Sequence, residues 1–397
     1  MFDPFDAATS RDAWETLREL RDKGPVATVA GDLRYVTRYA EARALLRDTD
    51  TFSNASGMKA PGVDIPSEDR LLGELDPPRH TAVRRVMVTA MTPKLVHAAE
   101  PFIEQTAAEL LAALPAEGFD LVPSYTTVLP NRVTVYLLGF DPADADQLAR
   151  WAKGLMESTF PALNRTERGV GFAAAFPEFA GYIDARIAER SAQLDAGETR
   201  DDVLARLIRL QFDDEPLPPQ QLRALVRNLI TGGLTTTSQL LGNLLFAIVS
   251  EPALETALRA DRALLNTAIE ESLRLAPPLL FLARGCVRDT EIAGCPVHAG
   301  ERVIVGAASA NRDERHFTDP DEFLLDRGNA DQHLTFGYGP HVCPGATLAR
   351  AVARIGVNAV LDQFAPGDLR LEPGFVFEQV PTYFEHGPRR LPVVRGG

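Results

Sequence analysis

Hydrophobic residues recur at helical spacing through most of the chain. Segments 13–23 and 38–47 each carry one apolar stripe, and from residue 78 to about residue 275 the pattern is mostly helical, with breaks at prolines. A further helix is predicted over residues 346–363. The sequence therefore predicts a mainly helical protein.

Strand patterns are short and lie near the two ends of the chain. Segments 26–30 and 33–37 flank a Gly-Asp turn and predict a small hairpin, residues 283–306 are again rich in β patterns, and the tail returns to short strands. Residues 51–75 contain several glycines and prolines, which predicts a long loop of the kind that often serves function. Because there is no internal repeat or linker-like stretch, we expect one mainly α domain with a minor β part over residues 1–397, although length alone suggests two or three domains.

The longest predicted helix covers about residues 219–250 and would be about 48 Å long at the rise of an α-helix. Its part from residue 228 to residue 250 carries no formal charge and is long enough to cross a membrane. Asparagine, threonine, serine and glutamine are too frequent there for lipid. We therefore predict a buried core helix and no membrane span.

The middle of this helix, residues 231–237, reads TGGLTTT. Glycine and threonine are poor helix formers, so the helix should be weak here and able to bulge or kink. Two interpretations stay open. One is a packing notch where another element crosses, and the other is a groove that admits a small ligand, with a threonine hydroxyl facing it.

Composition narrows the class of protein. The formal net charge is −14, which argues against nucleic acid as the main partner, because neutralising phosphates needs a basic face. The only cysteines are Cys286, Cys295 and Cys343, too few and too odd in number for a secreted disulfide framework. The first fourteen residues contain acidic and basic side chains and no apolar run, so we expect neither a signal peptide nor a membrane anchor, and a cytoplasmic location.

The strongest chemical signal is residues 336–345, which read FGYGPHVCPG and directly precede the predicted helix 346–363. Cys343 would therefore lie at a helix N-terminus, where the dipole and free N–H groups favour a thiolate. An inert buried cysteine, a nucleophile with His341 as its base, and a metal ligand are all open. Structural zinc would need more Cys or His residues at close spacing, whereas a single thiolate suits haem iron, whose other ligands come from a macrocycle.

This segment resembles the haem-binding loop of cytochromes P450, whose pattern is Phe-Gly-x-Gly-x-His-x-Cys-x-Gly. The resemblance implies the P450 fold, haem b held between the long central helix and the cysteine-loop helix, and Cys343 as the axial iron ligand. Every fixed position of the pattern is met, by Phe336, Gly337, Gly339, His341, Cys343 and Gly345.

Other family motifs follow in the same order along the chain. Glu271 and Arg274 match the family's Glu-x-x-Arg pair, and the resemblance gives them a structural role with Arg327 as the third member. His80 and Arg84 match the His-x-x-x-Arg motif that binds the haem propionates. By the same resemblance, two further propionate contacts are expected from Arg284 and His341.

The central helix both matches and departs from the family. The resemblance places Gly232 and Gly233 in the oxygen-binding groove and makes Thr236 the alcohol of the family's acid–alcohol pair. Thr235 stands where the family usually has Asp or Glu, the residue that helps to deliver protons during oxygen activation. Since threonine does not change charge near neutral pH, water or the substrate would supply the relay, the cycle would be slow or uncoupled, or the enzyme would use peroxide or perform a less usual oxidation.

The substrate pocket is also located by the resemblance, and it includes the loop around residues 53–75. Its apolar lining predicts a largely apolar substrate recognised by shape, although Lys59 and Arg70 in the loop could bind an anionic end. For residues 279–282 a plain buried strand is a second interpretation, and the two can hold together. The expected lining residues are Ile230, Leu234, Leu279, Leu280, Phe281, Leu282, Thr382 and Tyr383.

The resemblance therefore predicts a monomeric haem-thiolate monooxygenase that uses O2 and a small apolar organic substrate. Because the chain has no flavin or iron–sulfur motif, a ferredoxin and its NAD(P)H-dependent reductase would supply the electrons. Alternatives are peroxide-driven or oxidative-coupling chemistry, a non-catalytic haem-binding or sensor protein, and a haem-free cysteine hydrolase. An acidic ferredoxin would need a basic face near Cys343, for which the candidates are Arg79, Arg85, Arg350 and Arg354.

Overall fold

The structure is a computed structural model that describes residues 1–10, 13–57, 69–159, 171–212 and 215–396. Helices dominate it, with a minor β part, as the periodicity predicted. The helices are α1 Ala7–Ser10, α2 Trp14–Lys23, α3 Tyr39–Arg47, α4 Asn54–Gly57, α5 Arg79–Ala90, α6 Pro93–Ala112, α7 Val128–Leu138, α8 Ala145–Thr159, α9 Phe172–Ala175, α10 Pro177–Asp195, α11 Val203–Arg209, α12 Pro219–Ser250, α13 Pro252–Ala260, α14 Leu264–Leu275, α15 Ala307–Ala310 and α16 Ala346–Gln363.

The predicted hairpin is confirmed and forms part of a larger sheet. In that sheet β1 pairs antiparallel with β2, β2 pairs parallel with β10, and the strand order is β1-β2-β10-β7-β3. Strands β11, β12 and β4 form a second sheet. The strands are β1 Val26–Val29, β2 Leu33–Val36, β3 Phe52–Ser53, β4 Gly118–Asp120, β5 Gln211–Phe212, β6 Glu215–Pro216, β7 Leu282–Cys286, β8 Thr290–Ile292, β9 Cys295–Val297, β10 Arg302–Val305, β11 Leu369–Leu371 and β12 Pro392–Arg395.

The main hydrophobic core surrounds α12, which packs against α7, α8 and α16. Two smaller apolar clusters cover the faces of the five-stranded sheet. Long helices gain most of their stability from packing an apolar surface, and α12 is apolar on most sides. This agrees with the predicted buried core helix, and the bounds of α16 are those predicted from its periodicity.

The segment 51–75 is more ordered at its start than a loop prediction allows. Its first residues form β3, which pairs with β7, and then α4. Asp76 holds this turn, because its carboxylate accepts hydrogen bonds from the Ser53 hydroxyl and the Asn54 N–H at 2.5 and 2.8 Å. The middle of the predicted loop, residues 58–68, lies outside the described residues.

Within the described ranges, no single helix is long and apolar enough to cross a membrane. One bent pair, Pro219–Ser250 with Pro252–Ala260, passes a test of length and composition only when the two helices are taken together, and they meet at 103°.

Candidate active site

A tight loop places Cys343 close to the start of α16. The Cys343 N–H donates a 2.8 Å hydrogen bond to the carbonyl oxygen of Phe336, which closes the loop. Gly337 and Gly339 both adopt a φ of 75°, in the left-handed region that favours glycine. A Cβ atom on Gly339 would also lie 3.0 Å from the Cα atom of Arg47. These two glycines of the motif are therefore required by the backbone, whatever their chemical role.

The Cys343 side chain is accessible, yet protein atoms surround it densely, as expected at the wall of a cleft. Burial raises the pKa of the Cys343 thiol. The N–H groups of Gly345 and Ala346 and the charges of Arg84 and Arg350 oppose that effect without cancelling it. The N–H groups at the helix terminus thus favour the thiolate, as predicted, but desolvation of the Cys343 side chain outweighs their effect. A bound metal ion supplies the missing positive charge and deprotonates its thiol ligand.

Four basic side chains from three parts of the chain converge near Cys343. His80 and Arg84 come from α5, Arg284 from β7 and His341 from the cysteine loop. The rings of His80 and His341 lie 3.7 Å apart, centre to centre. Burial, followed by the charge of Arg84, lowers the pKa of His80 to about 4; burial, then His80 and Arg284, lowers that of His341 to about 3.

This cluster fits a ligand that brings carboxylates. Both ring nitrogens of His80 and Nε2 of His341 are buried and have no hydrogen-bond partner among the described residues. Buried polar groups without partners cost free energy, so their presence together points to a missing acceptor. The two propionates of haem b would supply such acceptors next to the Cys343 sulfur. The donor set therefore fits haem b.

The glycine pair of α12 serves two different purposes. A Cβ on Gly232 would meet only open space, with its nearest neighbour, the Asn228 Nδ2 atom, at 3.9 Å. A Cβ on Gly233 would lie 3.1 Å from the Oγ1 atom of Thr134 on α7. Gly233 is thus a packing notch, whereas Gly232 borders open space, and a groove for a small ligand beside it stays a prediction. The helix is continuous through this region, without the expected bulge.

The two threonines after the glycine pair have different environments. The Thr236 hydroxyl donates a 3.0 Å hydrogen bond to the carbonyl oxygen of Gly232, one turn earlier. Leu229, Gly232 and Thr236 are all partly or fully accessible and recur at helical spacing; we call them the open face of α12. The Thr235 Oγ1 atom is buried and has no partner among the described residues. A hydroxyl, and no carboxylate, therefore occupies this buried position.

The predicted pocket residues of α12 lie on its other side. Ile230 and Leu234 are 1% and 2% exposed and belong to the main core. Their assignment to the pocket wall is corrected, because the helix is rotated so that these large side chains pack against neighbouring helices. The open face of α12 carries the accessible positions instead.

Three of the predicted pocket residues outside α12 also pack into a core. Leu280, Phe281 and Tyr383 are buried in a cluster with the N-terminal segment. The ring of Phe5 makes edge contacts with Phe281 and Tyr383 at 5.6 and 5.7 Å. Leu280 and Phe281 are therefore buried, as the plain interpretation of residues 279–282 expects, but they precede the strand, because β7 begins at Leu282. Partly accessible positions remain at Leu279, Leu282 and Thr382.

One polar residue beside the open face was missed by sequence reasoning. Asn228 Oδ1 accepts a 2.9 Å hydrogen bond from the N–H of Leu72, just before α5. Its Nδ2 atom lies beside the open space at Gly232 and donates to no acceptor among the described residues. The sequence could have indicated Asn228 through its position, because it precedes Gly232 by one helical turn. Of the two loop residues expected to bind an anion, Arg70 is partly exposed and Lys59 lies outside the described residues.

The structure brings the three expected structural residues together. Glu271 and Arg274 are fully buried, and the Arg274 Nε atom lies 2.6 Å from a Glu271 carboxylate oxygen. The Arg327 Nε atom lies 2.9 Å from the same carboxylate. Arg274 also donates to the carbonyl oxygens of Asn311, Pro320 and Glu322, which ties α14 to the segment before the cysteine loop.

Half of the expected basic face is paired with carboxylates. Arg350 and Arg354 form ion pairs with Glu270 and Glu100, and Arg79 donates to the side-chain oxygen of Gln221 on α12. Of the four predicted arginines, only Arg85 is an exposed side chain without such a contact in the described structure. Two of the four candidate arginines are therefore paired with carboxylates from helices distant in sequence, and a basic face formed by the other two stays a prediction.

Comparison with known proteins decides the family. The family model described as cytochrome P450 matches residues 155–367. The chain is 34% identical to the erythromycin C-12 hydroxylase of Saccharopolyspora erythraea, over 96% of this chain and 94% of that protein. The chain belongs to the cytochrome P450 family. The cyclomarin C epoxidase CymV of Salinispora arenicola is 32% identical over 98% of this P450 and 96% of its own length.

Solved structures agree with the sequence relatives. A mutant of P450 EryK in complex with erythromycin B superposes with a TM-score of 0.86 at 32% identity and covers 98% of each chain. The fold is therefore the P450 fold, and haem b is the cofactor of the family. Because the named relatives of this P450 are hydroxylases and epoxidases, it is a P450 monooxygenase, which uses O2, an organic substrate and redox partners.

Proposed function

We propose that this P450 inserts one oxygen atom of O2 into a largely apolar secondary metabolite, as a hydroxylase or epoxidase, with electrons from a ferredoxin and an NAD(P)H-dependent ferredoxin reductase. The observation that carries the proposal is the open face of α12, where Gly232 borders free space and the Thr236 hydroxyl lies one turn away. A monomeric state, a single domain and a cytoplasmic location stay predictions.

In this proposal Cys343 binds the haem iron, while His80, Arg84, Arg284 and His341 bind the propionates. When bound, the haem supplies the iron at which O2 is reduced and oxygen is transferred. The chain's own contribution is to orient that group. Buried donors without partners offer it fixed hydrogen bonds, and the glycine-constrained loop fixes the position of the cysteine.

Proton delivery is assigned to Thr236. Its Oγ1 atom donates to the Gly232 carbonyl oxygen and keeps lone pairs that can accept a proton from water in the groove. Thr235 cannot hold a negative charge, and its buried hydroxyl lacks a partner among the described residues. Water or a polar group of the substrate would therefore complete the relay that a carboxylate usually supports.

The substrate class is inferred from the relatives and from the site. The relatives' names specify erythromycin, cyclomarin C and 6-deoxyerythronolide B, which indicates large natural products. In this chain the groove is bordered by Leu229, the glycine edge of α12 and the amide of Asn228. We propose an apolar molecule with a few oxygen substituents, recognised mainly by its shape.

Two measurements test the proposal. The dithionite-reduced protein with carbon monoxide should show the red-shifted haem band of thiolate ligation, and Cys343→Ala should lose that band. Turnover with NADH, ferredoxin and reductase under labelled dioxygen should place one labelled oxygen atom in the product. Unlabelled product, or a carbon monoxide spectrum without thiolate character, would contradict the proposed function.

Thr235 gives specific support to a second candidate function, peroxide-driven or oxidative-coupling chemistry. A buried hydroxyl at the usual acid position removes a group that supports proton delivery from solvent. Comparing products and rates with hydrogen peroxide against the ferredoxin system separates the two functions. Faster turnover with peroxide, or a coupled product without inserted oxygen, would favour the second.

A further inference from the structure

A charge cluster beside the cysteine loop belongs neither to the propionate site nor to the open face of α12. Arg350 Nε and Nη2 donate to the two carboxylate oxygens of Glu270 at 2.6 and 2.7 Å. His333 Nε2 lies 3.2 Å from one of the same oxygens. The paired arrangement fixes the arginine head group in one plane and one position.

The fixed arginine touches the loop that carries the iron ligand. The central carbon of the Arg350 guanidinium lies 4.7 Å from the centre of the Phe336 ring. The carbonyl oxygen of Phe336 accepts the hydrogen bond from the Cys343 N–H. The positive charge of Arg350 therefore lies against the loop that carries the Cys343 sulfur. Whether Glu270 compensates that charge changes the electrostatic potential at the sulfur.

Glu270 keeps its negative charge throughout the working pH range. Its partial burial opposes ionisation, but the hydrogen bonds from Arg350 and His333 outweigh burial and lower the pKa of Glu270 to about 2. The carboxylate is only 14% exposed, so water screens it weakly. It therefore neutralises Arg350 steadily instead of titrating with pH.

We propose that Glu270 is a positioning residue that sets the reduction potential of the haem, by holding Arg350 over Phe336 and neutralising its charge there. The proposal rests on Cys343 binding the haem iron. A negative charge near the iron–thiolate unit stabilises the ferric form relative to the ferrous form, and burial and hydrogen bonding around the sulfur are known levers on such potentials. Without Glu270, the uncompensated Arg350 would favour reduction.

Helix α16 offers a matched control one turn further along. Arg354 pairs with Glu100 of α6 at 2.7 Å, in the same kind of ion pair. The exposures of the two arginines are nearly equal, 38% and 37%. No contact of Arg354 with Phe336 occurs in the described structure. Glu100→Gln therefore frees an arginine on the same helix without freeing the one that lies on the cysteine loop.

The test is a spectroelectrochemical titration of the purified, substrate-free holoenzymes. We expect Glu270→Gln to shift the midpoint potential to a more positive value than in the parent, and Glu100→Gln to shift it much less. Arg350→Gln removes the positive charge and should shift the potential in the opposite direction. Equal shifts in the two glutamate variants, no shift in Glu270→Gln, or shifts of the same sign in Glu270→Gln and Arg350→Gln would overturn the proposal.

The carbon monoxide spectrum keeps the two proposals separate. If the parent protein lacks a thiolate-type band, the proposed function fails, and the role of Glu270 fails with it. If the parent has that band and Glu270→Gln loses haem, Arg350→Gln still decides through the sign of its shift. A parent band combined with unshifted potentials refutes the role of Glu270 while the proposed function stands.

Discussion

Replacing the adjacent glycines of α12 by alanine, one at a time, should stabilise the protein at Gly232 but not at Gly233. Both positions lie inside a continuous helix, so each gains the same helix propensity from alanine. The methyl group at Gly232 would enter open space, with its nearest neighbour at 3.9 Å. At Gly233 it would lie 3.1 Å from Oγ1 and 3.5 Å from Cγ2 of Thr134. The difference in stability between the two variants therefore measures the cost of packing the methyl group at Gly233, because the gain in helix propensity is the same in both.

The expected magnitudes follow from these two terms. Alanine is favoured over glycine in a helix interior by about 1 kcal/mol, so Gly232→Ala should raise the free energy of unfolding by about that amount. Overpacking a filled core costs about 1–3 kcal/mol. For Gly233→Ala, the propensity gain offsets part of that cost, and the variant should range from neutral to about 2 kcal/mol less stable. The two variants should thus differ by about 1–3 kcal/mol.

The assay is denaturant unfolding of the holoproteins followed by far-ultraviolet circular dichroism, with the slopes checked to be equal. A second substitution, Thr134→Ala, removes both atoms that the new methyl group would approach. In that background Gly233→Ala should recover the propensity gain, which a double-mutant cycle detects as a coupling energy. Equal stability of the two single variants, or zero coupling to Thr134, would refute the assignment of Gly233 as a packing notch.

Three further outcomes are expected. Thr236→Ala should increase the peroxide released per NADH consumed, since it removes the Thr236 hydroxyl that donates to the Gly232 carbonyl oxygen. An unchanged ratio of product to NADH would remove Thr236 from the mechanism. Asn228→Asp keeps an acceptor for the Leu72 N–H but replaces the amide donor at the groove, so KM and the product ratio should change, and identical values would count against a substrate contact. Glu271→Gln should cost about 3–5 kcal/mol of unfolding free energy, because it leaves buried arginine charge uncompensated. The pKa of Glu271 is lowered in the folded protein, because hydrogen bonds from Arg274 and others outweigh burial. Its stabilisation is complete above the unfolded pKa and is lost as pH falls through the folded one, so the parent's urea midpoint should fall more steeply with acid than the variant's.

Contiguous sequence patterns predicted the local structure well. The span of α16 follows from its apolar stripe, and the hairpin follows from two short apolar runs around a Gly-Asp turn. Both depend on residues within a few positions of one another. The family of the protein was also accessible from one short segment, because the cysteine loop carries its chemistry and its backbone requirements in ten adjacent residues.

The pairing of charged side chains could not be predicted from the sequence in the same way. The carboxylate that pairs with Arg350 is 80 residues away in the chain, and the one that pairs with Arg354 is 254 residues away. A sequence shows which side chains are charged but not which of them meet after folding. The four arginines therefore resembled a basic docking face, whereas the fold had already used most of them in ion pairs and hydrogen bonds.

The rotation of α12 explains why the pocket residues were assigned to the wrong side. An amphipathic helix reveals its buried face through its polar stripe, but several polar side chains of α12, such as Thr231 and Gln239, are themselves buried, so polarity does not mark its exposed side. Its rotation is set by the packing of α7, α8 and α16 around it, including the close approach of α7 at Gly233, and this leaves Gly232 and Thr236 accessible and Ile230 and Leu234 in the core. Contacts with helices distant in sequence thus determine which side chains of α12 remain accessible. Enlarging residue 233 should therefore disturb substrate binding as well as stability, although that residue does not face the groove.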